Sequence, residues 1–330
     1  MLTDPHNRVI DYLRISVTDR CNLRCVYCMP EEGIQPLRHQ DILSYEEILR
    51  VARVAVGLGI RKVRLTGGEP LVRRDLERLV QGLAAMQGVV DLSMTTNGIL
   101  LAERVEALRR AGLRRINVSL DSLLPHRYRS ITRGGDLERV WAGIQAAMEA
   151  GLNPVKINVV AMDGQNGDEI LRFAELTLRW PLEVRFIERM PLGVAGASRP
   201  EEFLPAERIL ETLSTNFPLE PLEAPTGNGP AQLYRIRYGL GAIGIIAPMT
   251  RHFCHSCNRL RLTPDGRLRV CLFSDQELDL RSLLRSGASD DTLRESIREA
   301  ITKKPSRGAP GPVEDLRVKK CVRPMSRIGG

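Results

Sequence analysis

The chain has 330 residues, of which 43% are hydrophobic and 4% are aromatic, and its formal net charge is +8. This apolar content can fill the core of one large domain or two ordinary ones, which argues against large-scale disorder. A basic chain can bind nucleic acid, an acidic membrane surface or a polyanionic small molecule. Aromatic side chains that stack on bases are scarce, so we expect no nucleic acid partner.

The charge and the cysteines also suggest a compartment. The first twenty residues carry Asp4, Asp11 and Asp19 and no unbroken apolar run, so we predict no signal peptide, no membrane segment and a cytoplasmic protein. Seven cysteines in such a chain favour reduced thiols and metal binding over disulfides. Six of them fall in two clusters, and the isolated Cys321 is expected to be a plain thiol.

The first predicted strand, residues 12–18, leads directly into the loop CNLRCVYCMP. There Cys21, Cys25 and Cys28 are spaced four and three residues apart, which is too close for an ordinary disulfide frame. The third cysteine distinguishes the loop from a simple Cys-x-x-Cys zinc or redox motif. A 4Fe-4S cluster takes one cysteine sulfur per iron, so three cysteines would leave one iron open to a non-protein ligand.

Strand and helix patterns then alternate along the chain. Ser44 and Glu47 have capping-box spacing at the start of a helical run. Further strands are predicted at 61–66, 90–95, 115–120, 155–160 and 182–188, with amphipathic helical runs between them. Six βα units predict an α/β fold built as a partial (β/α)6 TIM-type barrel with an open side. Functional groups are expected at the carboxyl ends of its strands.

Polar residues and glycines do follow several of these strands. Thr66-Gly67-Gly68-Glu69-Pro70 comes after the second strand, and its glycines allow close approach of backbone to a ligand. Thr95, Thr96 and Asn97 follow the third strand, and Ser119 and Asp121 follow the fourth. Polar groups at several strand ends do not suit a core, so they predict a ligand site.

The pattern changes near residue 190, where prolines become frequent. We predict a helix from Pro205 to about Asn216, and then two strands in QLYRIRY and GAIGIIAP. The chain is therefore divided into a barrel domain, residues 1–225, and a β-containing C-terminal domain, residues 226–330, that covers the open side of the barrel.

The second cysteine cluster lies in this C-terminal part. Cys254, Cys257 and Cys271 again supply three sulfurs, and a zinc knuckle with His252 or His255 as its fourth ligand is an alternative. Arg259 and Arg261 alternate on a strand beside the cluster and point to one face, where they suit an anion or simply face solvent. The tail is basic from Lys303 onward and ends in Gly329-Gly330, which alone predicts a frayed end.

With CNLRCVYCMP, GGEP and FCHSCNRLRLTPDGRLRVCL in place, the sequence resembles the radical S-adenosylmethionine (SAM) superfamily. Within it the chain is similar, nearly end to end, to the family that cyclises GTP in molybdenum cofactor biosynthesis. The resemblance implies two 4Fe-4S clusters, the first held by Cys21, Cys25 and Cys28 and chelated by SAM. The second would be held by the C-terminal cysteine triad and would meet guanine.

The resemblance also implies roles for individual residues at matched positions. Tyr27, Gly68, Ser119 and Met190 would contact SAM, with Glu69 near its amine. GTP would lie among Arg14, Arg64, Thr95, Lys156, Arg185, Arg259, Leu260 and Arg261. Arg259, Arg261 and the terminal Gly329 and Gly330 would be catalytic, and the tail would reach into the site instead of fraying.

For the reaction, the resemblance implies that a 5'-deoxyadenosyl radical removes the ribose H3' of GTP and that C3' then attacks C8 of guanine. The product would be (8S)-3',8-cyclo-7,8-dihydroguanosine 5'-triphosphate. Expected partners are a cyclic pyranopterin monophosphate synthase downstream, a flavodoxin-like electron donor and a second copy of the chain in a homodimer. The alternatives are a two-cluster radical SAM enzyme that acts on a peptide and a non-catalytic zinc-binding protein.

Overall fold

A computed structural model of the chain describes residues 1–192, 200–223, 229–308 and 323–329. The strands are β1 (Tyr12–Ser16), β2 (Lys62–Thr66), β3 (Asp91–Thr96), β4 (Arg115–Ser119), β5 (Val155–Ala161), β6 (Glu183–Glu188), β7 (Leu219–Leu222), β8 (Gln232–Ile236), β9 (Ala242–Ile246), β10 (Arg259–Leu262), β11 (Arg267–Arg269) and β12 (Leu278–Asp279). The helices are α1 (Tyr45–Leu58), α2 (Leu76–Ala84), α3 (Leu101–Arg110), α4 (Pro125–Thr132), α5 (Leu137–Glu149), α6 (Ile170–Arg179), α7 (Ala206–Asn216), α8 (Leu280–Arg285), α9 (Asp290–Thr302) and α10 (Met325–Ile328).

Strands β1 to β6 pair side by side in chain order, and each pair is parallel. Their observed bounds agree with the six predicted segments to within two residues, because each segment is apolar on the faces that pack under the helices. The predicted α/β fold class is therefore confirmed. Helices on the outside and parallel strands inside bring the carboxyl ends of all six strands to one end of the sheet.

Helix α1 illustrates how local sequence sets the element boundaries. Ser44 accepts a hydrogen bond from the Glu47 backbone, and the Glu47 carboxylate accepts one from the Ser44 backbone, so the predicted capping box is present. Gly59 ends the helix in the left-handed conformation with a φ of 117°, which glycine adopts without steric cost. Between these caps, one helix face is buried against the sheet.

The C-terminal strands continue the same sheet at both of its edges. Strand β10 pairs in parallel with β1, and β11 and β12 follow it in antiparallel order. At the other edge β9 pairs in parallel with β6, and β8 and β7 follow it. The described strands thus form one twelve-stranded sheet. The division at residue 225 remains a prediction.

Helix α9 adds a further connection between the two parts of the chain because it packs against α1. Its inward face consists of Leu293, Ile297 and Ile301, all about 1% exposed. Among the helices that the structure describes, none combines the length with the apolar character that crossing a bilayer requires.

Candidate functional site

A cavity of about 340 Å³ lies at the carboxyl ends of the parallel strands and extends under the C-terminal loops. It brings together residues from both ends of the chain that the sequence singled out separately. Those lining it are Arg14, Cys21, Cys25, Tyr27, Cys28, Arg64, Gly68, Thr95, Ser119, Arg185, Met190, Cys254, Cys257, Arg259, Arg261 and Cys271. The predicted residues Glu69, Lys156, Leu260 and Gly329 lie beside this lining, and Gly330, like Cys321, falls outside the described residues.

The first cysteine triad occupies the loop after β1. All three thiols are free and partly buried. The backbone N–H of Leu23 donates to Cys21 Sγ at 3.4 Å, and the Asn97 amide group lies 3.9 Å from the same sulfur. Burial raises the pKa of Cys21 to about 11 and that of Cys28 to about 12.

Glu69 lies beside the cavity lining and accepts hydrogen bonds from the loops that surround the cavity. Its carboxylate accepts hydrogen bonds from the Leu71 backbone at 2.9 Å, the Thr96 hydroxyl at 2.7 Å and the Asn97 backbone at 2.6 Å. Burial raises its pKa to about 7, although these three donors act in the opposite direction. Glu69 is therefore connected to the triad through Asn97, whose side chain reaches Cys21.

Tyr27 and Asp121 form a second polar group beside the first triad. The Tyr27 hydroxyl donates to Asp121 at 2.7 Å, and the Val160 backbone donates to the other carboxylate oxygen at 2.9 Å. Burial raises the pKa of Asp121 to about 6, while the bond from Tyr27 lowers it. The first triad thus lies near two buried carboxyl groups, Glu69 and Asp121, which would favour a cationic ligand there.

The second triad has surroundings of the opposite sign. Burial acts to raise the pKa of Cys257, but the charges of Lys304, Arg259 and Arg261, together with a hydrogen bond from the Arg259 backbone, lower it overall. The candidate zinc ligand His252 is already engaged, because its Nδ1 lies 2.8 Å from Pro248 O and its Nε2 lies 2.6 Å from Arg307. Positive neighbours favour thiolates and, next to them, an anionic ligand.

Both triads fit iron–sulfur clusters in the chemistry of their donors. Within the parts of the chain that the structure describes, no three His, Cys, Asp or Glu side chains converge closely enough to bind one metal ion. A 4Fe-4S cluster distributes its cysteines over separate irons, so its ligands surround a volume and do not meet at one point. All six cysteines of the two triads are free and line the same cavity, which is compatible with this arrangement.

A row of arginines crosses three adjacent strands near the second triad. Arg14 on β1 lies in register with Arg261 on one side and Arg64 on the other. Burial lowers the pKa of Arg261 to about 10, and the charge of Arg259 adds to this effect. The pKa of Arg14 is lowered by burial and then by Arg261. The positive charges of these neighbouring guanidinium groups repel one another. An anion bound between the arginines would therefore be strongly stabilised.

Lys156 lies on β5, outside this row, in a buried ion pair near Arg185. Its ammonium group lies 2.5 Å from the carboxylate of Glu183, which also accepts a hydrogen bond from Arg185. Burial lowers the pKa of Lys156 to about 8, and the nearby Arg185 lowers it further. Arg185 itself lines the cavity, so Lys156 and Glu183 support a cation that faces the site.

The end of the chain returns to the site. Ile328 is fully buried against Leu192, and the Gly329 carbonyl accepts a hydrogen bond from Arg261. Gly329 lies against Ser16 and Thr66, which are the last residues of β1 and β2. Arg327 donates to the backbone carbonyl of Gln35. The expectation of a frayed end is therefore wrong as far as Gly329.

Sequence reasoning missed several polar residues of the cavity. Asn117 and Asn158 line it, Asn117 is 1% exposed, and neither amide oxygen has a hydrogen-bond partner. Residues two apart on a strand point to the same face of the sheet. Asn117 is two residues from Ser119, and Asn158 is two residues from Lys156. That spacing would have identified them. Leu260, by contrast, belongs to the hydrophobic core, so its side chain faces away from the arginines.

Comparison with protein families gives two matches that together span most of the chain. Residues 15–177 match the radical SAM superfamily, and residues 182–309 match the molybdenum cofactor synthesis C family. The first match contains the first cysteine triad, and the second contains the other triad.

Individual relatives match over all or nearly all of their length. The chain is 50% identical over 330 residues to a GTP 3',8-cyclase of Pelotomaculum thermopropionicum, with 100% of both chains covered. It is 52% identical over 305 residues to a GTP 3',8-cyclase of Moorella thermoacetica, covering 92% of this chain and 94% of the relative. Among solved structures, Streptococcus suis SuiB bound to S-adenosylmethionine is similar in fold, with a TM-score of 0.63, 16% identity and coverage of 98% of this chain and 78% of SuiB.

Proposed function

The chain belongs to the GTP 3',8-cyclase family of the radical SAM superfamily. On this basis we propose which residues hold the clusters, bind SAM and bind GTP. It is a radical SAM enzyme of molybdenum cofactor biosynthesis with GTP 3',8-cyclase activity, and it uses S-adenosylmethionine and an iron–sulfur cluster. In our proposal the cysteine triads hold clusters, and charged side chains of opposite sign separate the SAM side of the cavity from the GTP side.

Cys21, Cys25 and Cys28 hold the SAM-binding cluster in this proposal, and Cys254, Cys257 and Cys271 hold a second one. When bound, the first cluster and SAM supply one-electron bond cleavage that starts the radical chemistry, which the protein itself cannot perform. The contribution of the protein is to hold the two triads in one cavity. Reactants kept at fixed distance and orientation avoid the entropic cost of meeting in solution.

We assign SAM to the side of the cavity that carries Glu69 and Asp121. The sulfonium and amine groups of SAM are positively charged and would be attracted to these carboxyl groups. Tyr27, Gly68, Ser119 and Met190 line the wall there, and we propose that they contact SAM. Glu69 would act near the amine while keeping Asn97 and the cysteine loop in position.

The arginine row carries the assignment of GTP. Arg14, Arg64 and Arg261 are held side by side by strand pairing, and Arg185 and Arg259 face the same cavity. A triphosphate can bind several guanidinium groups at once through charge-assisted hydrogen bonds, which a neutral substrate cannot do. Thr95 and Arg259 extend this surface, and Leu260 lies between the two C-terminal arginines in the sequence. Lys156 is linked to Arg185 through their shared partner Glu183.

In this arrangement the tail completes the substrate side of the site. Arg261 both lines the cavity and donates to Gly329, so its guanidinium group is oriented by the end of the chain. We propose that Arg259, Arg261, Gly329 and Gly330 assist the cyclisation by fixing the ribose and guanine relative to each other. The guanine would meet the second cluster, whose positive surroundings suit an electron-rich base.

The test of this function is 5'-deoxyadenosine formation under anaerobic, reducing conditions with GTP deuterated at C3'. Deuterium in the 5'-deoxyadenosine would establish both the radical chemistry and the position of abstraction. Slow SAM cleavage that is indifferent to GTP, without label transfer, would require a different substrate. Iron and sulfide analysis accompanies it, because zinc without sulfide would instead support the zinc-binding alternative.

We further propose a cytoplasmic homodimer that passes its product to a cyclic pyranopterin monophosphate synthase and receives electrons from a flavodoxin-like protein. Free thiols and oxygen-sensitive clusters favour a reducing compartment. To test the donor, the holoenzyme is reduced anaerobically by a purified flavodoxin while the absorbance of the holoenzyme is followed. Sedimentation of the holoenzyme tests the dimer.

A further inference from the structure

Lys304 follows α9, and its ammonium group lies beside a sulfur of the second triad. The residue is 3% exposed. Nζ lies 3.7 Å from Cys257 Sγ and 3.0 Å from the carbonyl oxygen of Arg259, and it also donates to the carbonyl of Val270. An ammonium group has three N–H bonds, so these three acceptors use its whole donor capacity.

The chain around Lys304 is held in place by Arg8 from the N-terminal segment. Arg8 donates to the carbonyl oxygen of Pro305 at 2.7 Å and to that of Cys254 at 2.7 Å. It is itself buried in an ion pair with Asp4. One arginine thus joins the segment that carries Lys304 to the loop that carries a cysteine of the second triad, which fixes their distance.

The same segment reaches the remaining cysteine of the triad. The backbone of Gly308 approaches Cys271 so closely that a Cβ atom there would lie 2.2 Å from the sulfur. Residues 304–308, together with Arg8, therefore contact the positions of all three cysteines. The first triad has carboxyl groups nearby instead.

We propose that Lys304 is a positioning residue of the second cluster and that its charge raises the reduction potential of that cluster. This inference rests on the proposed second 4Fe-4S cluster at Cys254, Cys257 and Cys271. Reduction adds one negative charge to a cluster, and a hydrogen bond or positive charge at its sulfur stabilises that reduced state. Lys304 thereby makes the second cluster easier to reduce than it would be without this charge.

The experiment is a dithionite titration with redox mediators, followed by electron paramagnetic resonance. It uses the full chain with Cys21, Cys25 and Cys28 changed to Ser, so that the signal comes from the second cluster alone. In this background we compare Lys304→Met and Lys304→Arg with Lys303→Met as the matched control. Lys303 is the neighbouring lysine, but its side chain is 61% exposed and pairs only with Glu299 within the described contacts.

We expect Lys304→Met to shift the midpoint potential to a more negative value, and Lys304→Arg and Lys303→Met to remain close to the parent. Cluster assembly in Lys304→Arg but not in Lys304→Met would equally support a need for the charge. An unchanged potential in Lys304→Met at full iron content would overturn the inference, as would loss of iron from both Lys304 variants. Failure of the second cluster itself is distinguishable, since the parent background would then lack its expected iron of about four per chain.

Discussion

At the scale of single residues, Arg261 offers the most direct test of the GTP site. We expect Arg261→Ala to raise the KM for GTP by roughly tenfold to a hundredfold, since a lost charge-assisted hydrogen bond costs about 1.5–3 kcal/mol. The measurement is steady-state cyclisation at fixed SAM, with iron content checked. Arg267→Ala is the control, because Arg267 pairs with Asp279 outside the cavity lining. Equal KM values in both variants would contradict the assignment.

Lys156 gives the site a pH dependence of predictable sign. Its pKa of about 8 lies below the usual value of 10.5, with burial as the largest cause. As pH rises through 8 the group loses its proton and the site loses one positive charge, so we expect the KM for GTP to increase above that pH. Lys156→Arg keeps its charge throughout this range and should show no such increase. The same pH profile in both proteins would refute this origin.

Residues of the site differ in how well sequence alone identifies them. The cysteines stand in short local spacings, and Arg259 and Arg261 share one strand, so the pattern carried the information. Arg14 and Arg64 are fifty residues apart and meet only through the pairing of β1 with β2, so no local pattern could have joined them. Lys304 reaches Cys257 across 47 residues, and it was missed for the same reason.

At the scale of elements, the turn after β2 depends on a close approach between two loops. The backbone of Gly68 donates to Thr18, and a Cβ atom at Gly68 would lie 2.3 Å from the carbonyl oxygen of Arg20. We expect Gly68→Ala to destabilise the protein by about 1–3 kcal/mol, because backbone must move to make room. It should also lower the iron bound at the first triad, which belongs to the displaced loop.

Gly57 in α1 is the matched control for this change. No heavy atom lies within 4 Å of a Cβ atom added there. Gly57→Ala should therefore stabilise the protein by about 0.5–1 kcal/mol through helix propensity. The measurements are the free energy of unfolding in denaturant and the bound iron of both variants. If Gly68→Ala unfolds at the parent's midpoint with full iron, the loop tolerates a side chain at this position and no backbone movement is needed.

Elements were predicted well where hydrophobic period and caps agree, as in β1 to β6 and α1. Short elements such as β11 and β12 escaped because two or three residues carry no period, and their pairing with β10 is tertiary. The small helix α10 escaped for a related reason. It is stabilised by Ile328 packing against Leu192, which is more than a hundred residues away in the sequence.

At the scale of the whole molecule, the sheet itself joins the two parts of the chain. The C-terminal part covers both outer strands of the parallel array, since β10 pairs with β1 and β9 pairs with β6. A fragment of residues 1–225 would therefore have two open strand edges as well as an uncovered face on α1. Open edges of this kind pair with other chains and lead to aggregation.

We accordingly expect the fragment 1–225 to aggregate or to unfold without a cooperative transition, whereas a chain of residues 1–308 keeps every strand that the structure describes and should fold. Gel filtration and thermal circular dichroism of the two fragments provide the comparison. The longer fragment lacks Gly329 and its bond to Arg261, so it should cleave SAM but use GTP poorly. A monomeric, cooperatively unfolding 1–225 fragment would mean that the barrel strands are stable alone and that the C-terminal strands serve the site more than the fold.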